Sequence, residues 1–429
     1  MPYYPSYMRK WGALVIGGAL LITLATPVNA AAPKAGATCT KKNATATSAG
    51  KLYTCILSGK KLVWNKGVAI PKPTPSPTKP TAIGDPIGAV GSTPMPTPTV
   101  TPTPTPSPSS FIPPEPSNIL NLERDYEGVA YWAWKKSADK IISSTSSVTH
   151  FEVLVGPNSG ILNTYAKDAT QLTSRLYSGM KQPIKNFFIS FAYADSQWAE
   201  KKIDELLDDT VLVSQLRKSQ TLTTDLRTYW ACPSIERCHS STAMNNKTGT
   251  SIILAGYTPS RLGVVTETKG WLQSHEHTHA IQQEQFIGTA RENGGTINSF
   301  IYTSGWMIEG GANFGGNAST YYTSFDQYKR ARLEEIQSLP KVDQLWFEKF
   351  IEMSNQERDK FDQGEIYHVG FLINEIFASI KGPNVQMELF RKIALGKSFD
   401  EAFEDIFGAP WKTAVPLISR VLAAERART

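Results

Sequence analysis

The chain has 429 residues and a formal net charge of +6, enough length for more than one domain. Residues 31–66 hold seven lysines and no acid, whereas from residue 118 onward 33 basic face 36 acidic residues. The basic character therefore belongs to a short N-terminal stretch, and the near-neutral remainder argues against nucleic acid as a partner.

In chain order, Arg9 and Lys10 precede an apolar run from Trp11 to Ala25 and a small-residue site at Val28-Asn29-Ala30. This reads as an export signal over 1–30, cut after Ala30, because the run is shorter than the ~20 apolar residues of a spanning helix. The other reading is an uncleaved N-terminal anchor. No later segment is apolar enough to span a membrane, so none is expected after signal cleavage. Export permits disulfides. The four cysteines pair by position as Cys39 with Cys55 and Cys232 with Cys238. Neither pair has the spacing of a structural zinc site.

Residues 31–66 contain short alternating runs, Lys51-Leu52-Tyr53-Thr54-Cys55 and Lys61-Leu62-Val63-Trp64. They predict a small disulfide-held module of a few strands. Its lysines suit either contact with a cell-wall polyanion or solubility alone. Residues 67–117 are a Pro/Thr/Ser-rich linker, with Thr97-Pro98-Thr99-Val100-Thr101-Pro102 typical. Such a stretch buries no core, and at ~3.1 Å per residue it would reach on the order of 150 Å.

Residues 118–429 are long enough for a full core. The patterning predicts a helix near 121–142, a strand at 151–155, a helix over about 160–180, strands at 186–191 and 251–255, and then helices almost throughout: 270–285, 304–315, 328–337, 345–353 and 369–380. Strands first and helices after predict an α+β domain, a small mixed sheet backing a helix and a mostly helical C-terminal part. Residues 205–250 carry no legible pattern. Within them, Cys232–Cys238 would close a small loop, either beside a cleft or as a plain structural clip.

Three of the six histidines fall within five residues, Ser274-His275-Glu276-His277-Thr278-His279-Ala280. On a helix, His275 and His279 share one face and can grip one Zn²⁺, with Glu276 placed to take a proton from the attacking water. A catalytic zinc site needs a third protein ligand and one open position. Glu309, in Gly305-Trp306-Met307-Ile308-Glu309-Gly310-Gly311-Ala312-Asn313, stands in an otherwise apolar stretch. A carboxylate there is costly unless paired or metal-bound, so Glu309 is assigned as that ligand. His277, two residues from each ligand, should point off the metal face, either close to the ligands or at the surface. Tyr367 is the first candidate to stabilise the oxyanion, with His368 next; packing is the other reading of Tyr367. Phe399, Phe403 and Phe407 recur on one helical face and predict packing.

With His275-Glu276-x-x-His279 and the Trp306-x-x-Glu309-Gly310-x-Ala312 segment in view, the large domain resembles the gluzincin metallopeptidases. In that group a glutamate on a following helix completes the zinc site. The N-terminal module resembles short modules of exported actinobacterial proteins. The resemblance of the N-terminal module implies no chemistry. The gluzincin resemblance implies a zincin-like fold and, with the export signal, a secreted or envelope-associated enzyme. Its Glu276-assisted water attack would cleave peptide bonds of a peptide or protein substrate. The competing expectation is a non-catalytic surface or wall-binding protein that keeps such a fold.

Overall fold

The computed structural model describes residues 34–39, 45–48, 51–59, 61–69, 112–159, 165–207, 232, 234–235, 238, 241–245, 248–256, 269–292, 302–353, 361 and 363–429. The expected signal (1–30) and most of the expected linker (70–111) lie outside these residues. The described residues fall into two compact units.

In the N-terminal unit, strand β2 (Lys51–Ser58) pairs antiparallel with β1 (Thr45–Ser48), β3 (Lys61–Trp64) and β4 (Val68–Ala69). The expected Cys39–Cys55 disulfide ties the segment before β1 to the middle of β2, where Cys55 is fully buried. A unit this small has too little apolar surface to hold itself, so the crosslink carries much of its stability.

The large unit is α+β, as expected. Its sheet has the order β5-β6-β8-β7, formed by β5 (His150–Val155), β6 (Lys185–Phe191), β7 (Ser241–Asn245) and β8 (Thr250–Gly256). β5, β6 and β8 run parallel, and β7 adds an antiparallel edge. The near-continuous apolar runs of β6 and β8 follow from burial on both faces. On one face Ile189, Phe191, Ile252 and Leu254 meet Ala199 and Ile203 of the helix Ser196–Leu207, together with the disulfide-bonded Cys232 and Cys238. On the other, Phe188, Ile253 and Ala255 meet Ala166 and Ala280. Ala280 lies on the histidine helix (Trp271–Glu284), so the Cys232–Cys238 link is a clip on the far side of the sheet from that helix. Asn245 on β7 adds a hydrogen bond from its amide to the Ala280 carbonyl, 2.7 Å.

The rest is helical: the glutamate helix (Gly305–Thr320), Phe325–Gln337, Gln344–Glu352, the tyrosine helix (Gln363–Lys381), Val385–Ala394, Phe399–Phe407 and Trp411–Ala427. Phe399, Phe403 and Phe407 do share a face, packing with Phe377, Trp306 and Trp411. A capping box between Ser398 and Glu401 starts their helix. No helix among the described residues is long and apolar enough to cross a membrane.

The glutamate helix is gripped by its neighbours because its glycines let them approach. A Cβ on Gly370 would lie 2.2 Å from the Trp306 carbonyl oxygen and 2.8 Å from the Gly310 Cα, so the tyrosine and glutamate helices meet backbone to backbone. No rotamer change can relieve that clash. Gly370→Ala is expected to destabilise the protein by about 1–3 kcal/mol, read as a lower urea midpoint. An unchanged midpoint would contradict the close crossing.

Candidate metal centre

The histidine helix starts at Gly270, whose φ of +79° suits glycine and turns the chain sharply into Trp271. A Cβ at Gly270 would also press on Ala169, 2.8 Å away, in the helix Ala166–Leu176. The helix is then covered by the sheet on one side and by the glutamate helix on the other.

The two helices run antiparallel. Nε2 of His279 lies 3.1 Å from Nε2 of His275 and 3.2 Å from Oε2 of Glu309, and Nε2 of His275 lies 3.7 Å from the same oxygen. His275, His279 and Glu309 are the group among the described residues that could hold a metal ion. Ligand atoms about 2.0–2.2 Å from an ion at tetrahedral angles sit about 3.3–3.6 Å apart. The three observed spacings straddle that range, and the two-imidazole, one-carboxylate donor set is that of a catalytic zinc site. The residues therefore fit the ion.

Hydrogen bonds set the state of His279. The Gln282 amide donates to the Ile308 carbonyl, 2.9 Å, which turns its oxygen toward Nδ1 of His279, also 2.9 Å. Nδ1–H is thus the donor, and Nε2 carries the lone pair that faces Glu309 and His275. Without a metal the same atoms hold protons. Burial works against charge on His279, but the Glu309 carboxylate outweighs it and raises the imidazole to about 9. Burial likewise disfavours the Glu309 charge, and the two histidines overcome it, holding the carboxyl well below its ordinary range. A metal ion held there would have to displace the His279 proton, so its binding would be favoured as pH rises.

His275 is flanked by two aromatic rings. Trp271 lies 5.2 Å from it, and Tyr367 stacks at 6.0 Å, tilted by 17°. The neighbouring candidate, His368, faces elsewhere. Its Nδ1 donates to Glu335, 2.6 Å. The other Glu335 oxygen accepts from the Asn317 amide, and the Asn317 oxygen accepts from the Trp271 indole, both at 3.1 Å. One polar chain thus runs from His368 to the ring that walls His275. Glu276 is buried beside its ligand neighbour.

His277 is off the metal face, as the spacing requires, but it is fully buried, which excludes the surface position. The histidine helix is buried at nearly every position from Gln273 to Glu284, and this encloses a polar residue two positions from both His275 and His279. Neither ring nitrogen has a hydrogen-bond partner among the described residues. Burial pushes the imidazole down to about 3, from 6.5 in an exposed setting. The folded protein therefore refuses a proton that the unfolded chain accepts. Stability present above pH ~6.5 is lost as pH falls toward ~3, at up to about 1.4 kcal/mol per pH unit. For metal-free protein, this single group predicts a loss of about 2 kcal/mol between pH 7 and 5. His277→Leu should remove that share of the slope in unfolding measurements. Equal slopes for parent and variant would contradict it.

Gln282, Asn317 and Glu335 were missing from the sequence reading. Gln282 had a visible signal, three residues after a ligand on the same helix. Asn313 and Asn317 follow Glu309 at intervals of four, a polar stripe on a Gly/Phe-rich helix. Glu335 had no such signal. No protein-family model, curated protein or solved structure matches this chain.

Proposed function

We propose that residues 118–429 form a zinc-dependent peptidase of the gluzincin type, with a zincin-like fold, acting outside the cell. The observation that carries this reading is the convergence of His275, His279 and Glu309 at zinc-compatible spacings, with Glu276 next in sequence to the first ligand. When bound, the ion would supply Lewis acidity toward a peptide carbonyl and toward water. Every other role belongs to the chain. Glu276 accepts the proton of the attacking water and returns it to the leaving amine. Gln282 keeps the Nε2 lone pair of His279 directed inward. Tyr367, stacked against His275, is the candidate donor to the oxyanion, and Trp271 forms the opposite wall.

Two disulfides fit an oxidising compartment, which agrees with export. The lysine-rich residues 31–66 would hold the protein at an anionic wall polymer, with the proline-rich segment giving the catalytic unit reach.

The test is metal content and hydrolysis together. The purified chain should carry one zinc, digest a peptide library, lose that activity to a chelator and regain it with added zinc. A chain without stoichiometric zinc, or hydrolysis indifferent to the chelator, would overturn the proposal.

A further inference from the structure

Three polar side chains lie side by side beneath the C-terminal half of the histidine helix. Ser251 on β8 is paired in register with Asn186 on β6 and with Asn245 on β7. Residues opposite one another in a ladder point to the same face of the sheet. The amide of Asn245 shows which face, since it donates to the Ala280 carbonyl at 2.7 Å and to the Glu284 carboxylate at 3.1 Å. Phe188 and Ile253, two residues along from Asn186 and Ser251, pack with Ala280 on that same side. The row is closed to solvent: Asn186 is 1% exposed, and Ser251 and Asn245 are fully buried.

Each member keeps one oxygen without a partner among the described residues: Oδ1 of Asn186, Oγ of Ser251 and Oδ1 of Asn245. The amides are oriented by their other ends. Asn186 donates through Nδ2 to the Pro183 carbonyl at 3.2 Å, and Asn245 donates through Nδ2 to its two acceptors on the helix. Both Oδ1 atoms are therefore acceptors, and the Ser251 hydroxyl between them supplies a donor. Adjacent strands stand about 4.8 Å apart, so asparagines on either side of a serine can aim at one point above it. Buried polar atoms are rarely left unpaired. Two acceptors and one donor match the bonding capacity of a single buried water, which makes about three hydrogen bonds.

A cation is the other species that a ring of oxygens holds, and the charge balance argues against it. The carboxylate that Asn245 contacts, Glu284, already faces Lys181, with 3.8 Å between Nζ and Oε2. A cation would add an uncompensated charge to a buried site.

We propose that Asn186, Ser251 and Asn245 form a binding site for one internal water molecule, which accepts the Ser251 O–H and donates to both amide oxygens. The water ties β6, β8 and β7 together and keeps the Asn245 amide turned toward the histidine helix. Asn245 is thereby a positioning residue for that helix. The inference stands independently of the zinc reading.

The experiment is oxygen-17 magnetic relaxation dispersion on the full chain, which counts water molecules held inside the protein for longer than its tumbling time. Ser251→Val removes the donor and puts a methyl in its place, and Asn186→Leu removes one acceptor. Each should lower the count by one. The double variant should also lose one rather than two, because both substitutions remove the same molecule. The count and the thermal midpoint of the parent should be the same in sodium, potassium and tetramethylammonium chloride. Equal counts in the parent and both single variants would overturn the proposal, as would a loss of two in the double variant. A midpoint raised by sodium or potassium alone would put a cation in the site and overturn it too. If a variant does not fold, an atomic-resolution crystal structure of the parent decides. A water about 2.8 Å from all three oxygens supports the site, and a direct hydrogen bond from Ser251 to either asparagine overturns it.

Discussion

Glu276→Gln is expected to lower peptide hydrolysis by on the order of 10²–10⁴-fold while leaving bound zinc unchanged. Glutamine keeps the shape and length of the side chain but cannot take a proton from water. The residue is not among the three converging donors, so metal content should not respond. Helix packing should not respond either, because the substitution adds no volume in a buried setting. The measurement is the peptide-library digest with zinc per chain determined on the same preparations. Retained turnover would remove Glu276 from the chemistry. Lost zinc would mean that the carboxylate serves the metal rather than the water. Lost turnover with intact zinc separates a catalyst from a binding protein that merely keeps the fold.

The second large effect is on stability. Arg332 stands between two carboxylates, 2.6 Å from Glu375 and 2.7 Å from Glu425, and the Tyr328 hydroxyl donates to Glu375 at 2.9 Å. Glu375 is fully buried. Burial raises its carboxyl above the ordinary range, and Arg332 is the main force in the other direction. Arg332→Met strands that charge and is expected to cost about 3–5 kcal/mol at neutral pH, read by urea unfolding. The sign with pH follows. A carboxyl raised in the fold is destabilising where it must ionise, so the penalty shrinks as pH falls and Glu375 takes up a proton. Replacing Glu375 with Leu in the same variant should recover much of the loss. A cost independent of pH would place the effect in packing instead. Glu375 shares its helix with Tyr367 and His368, so the network also steadies a wall of the candidate site.

Much of this was legible beforehand. The strands at 151–155, 186–191 and 251–255 stand where dense apolar runs end at turn residues, and the three residues that could hold a metal ion were readable because Glu309 interrupts an apolar helix. β7 was not legible. Ser241–Asn245 is mostly polar and owes its extended form to pairing with β8 at the sheet edge, which local patterning cannot convey. The helix Ser196–Leu207 was also missed, because it falls between a buried strand and the stretch without pattern. The tyrosine helix begins at Gln363, earlier than residue 369, and this puts Tyr367 inside a helix rather than at its lip. The supporting amides of the site escaped for one shared reason. Gln282 and Asn317 stand at visible polar spacings, but their partners, the Ile308 carbonyl and the Trp271 indole, exist only once the alignment of two helices is known.

The glycine contacts of the glutamate helix bear on how a metal ion would be acquired. That helix is clasped by the tyrosine helix at Gly310, by Gln386 at Gly311, by Thr278 at Gly315 and by Trp271 at Gly316. Its carboxylate cannot slide away from the imidazoles without unlocking all four. His275, His279 and Glu309 are thus brought together by packing, so a metal ion held there would meet donor atoms already in place, the opposite of small domains that fold only around their zinc. Stripped protein should keep its shape, and a spectroscopically visible ion such as Co²⁺ could be exchanged in without refolding.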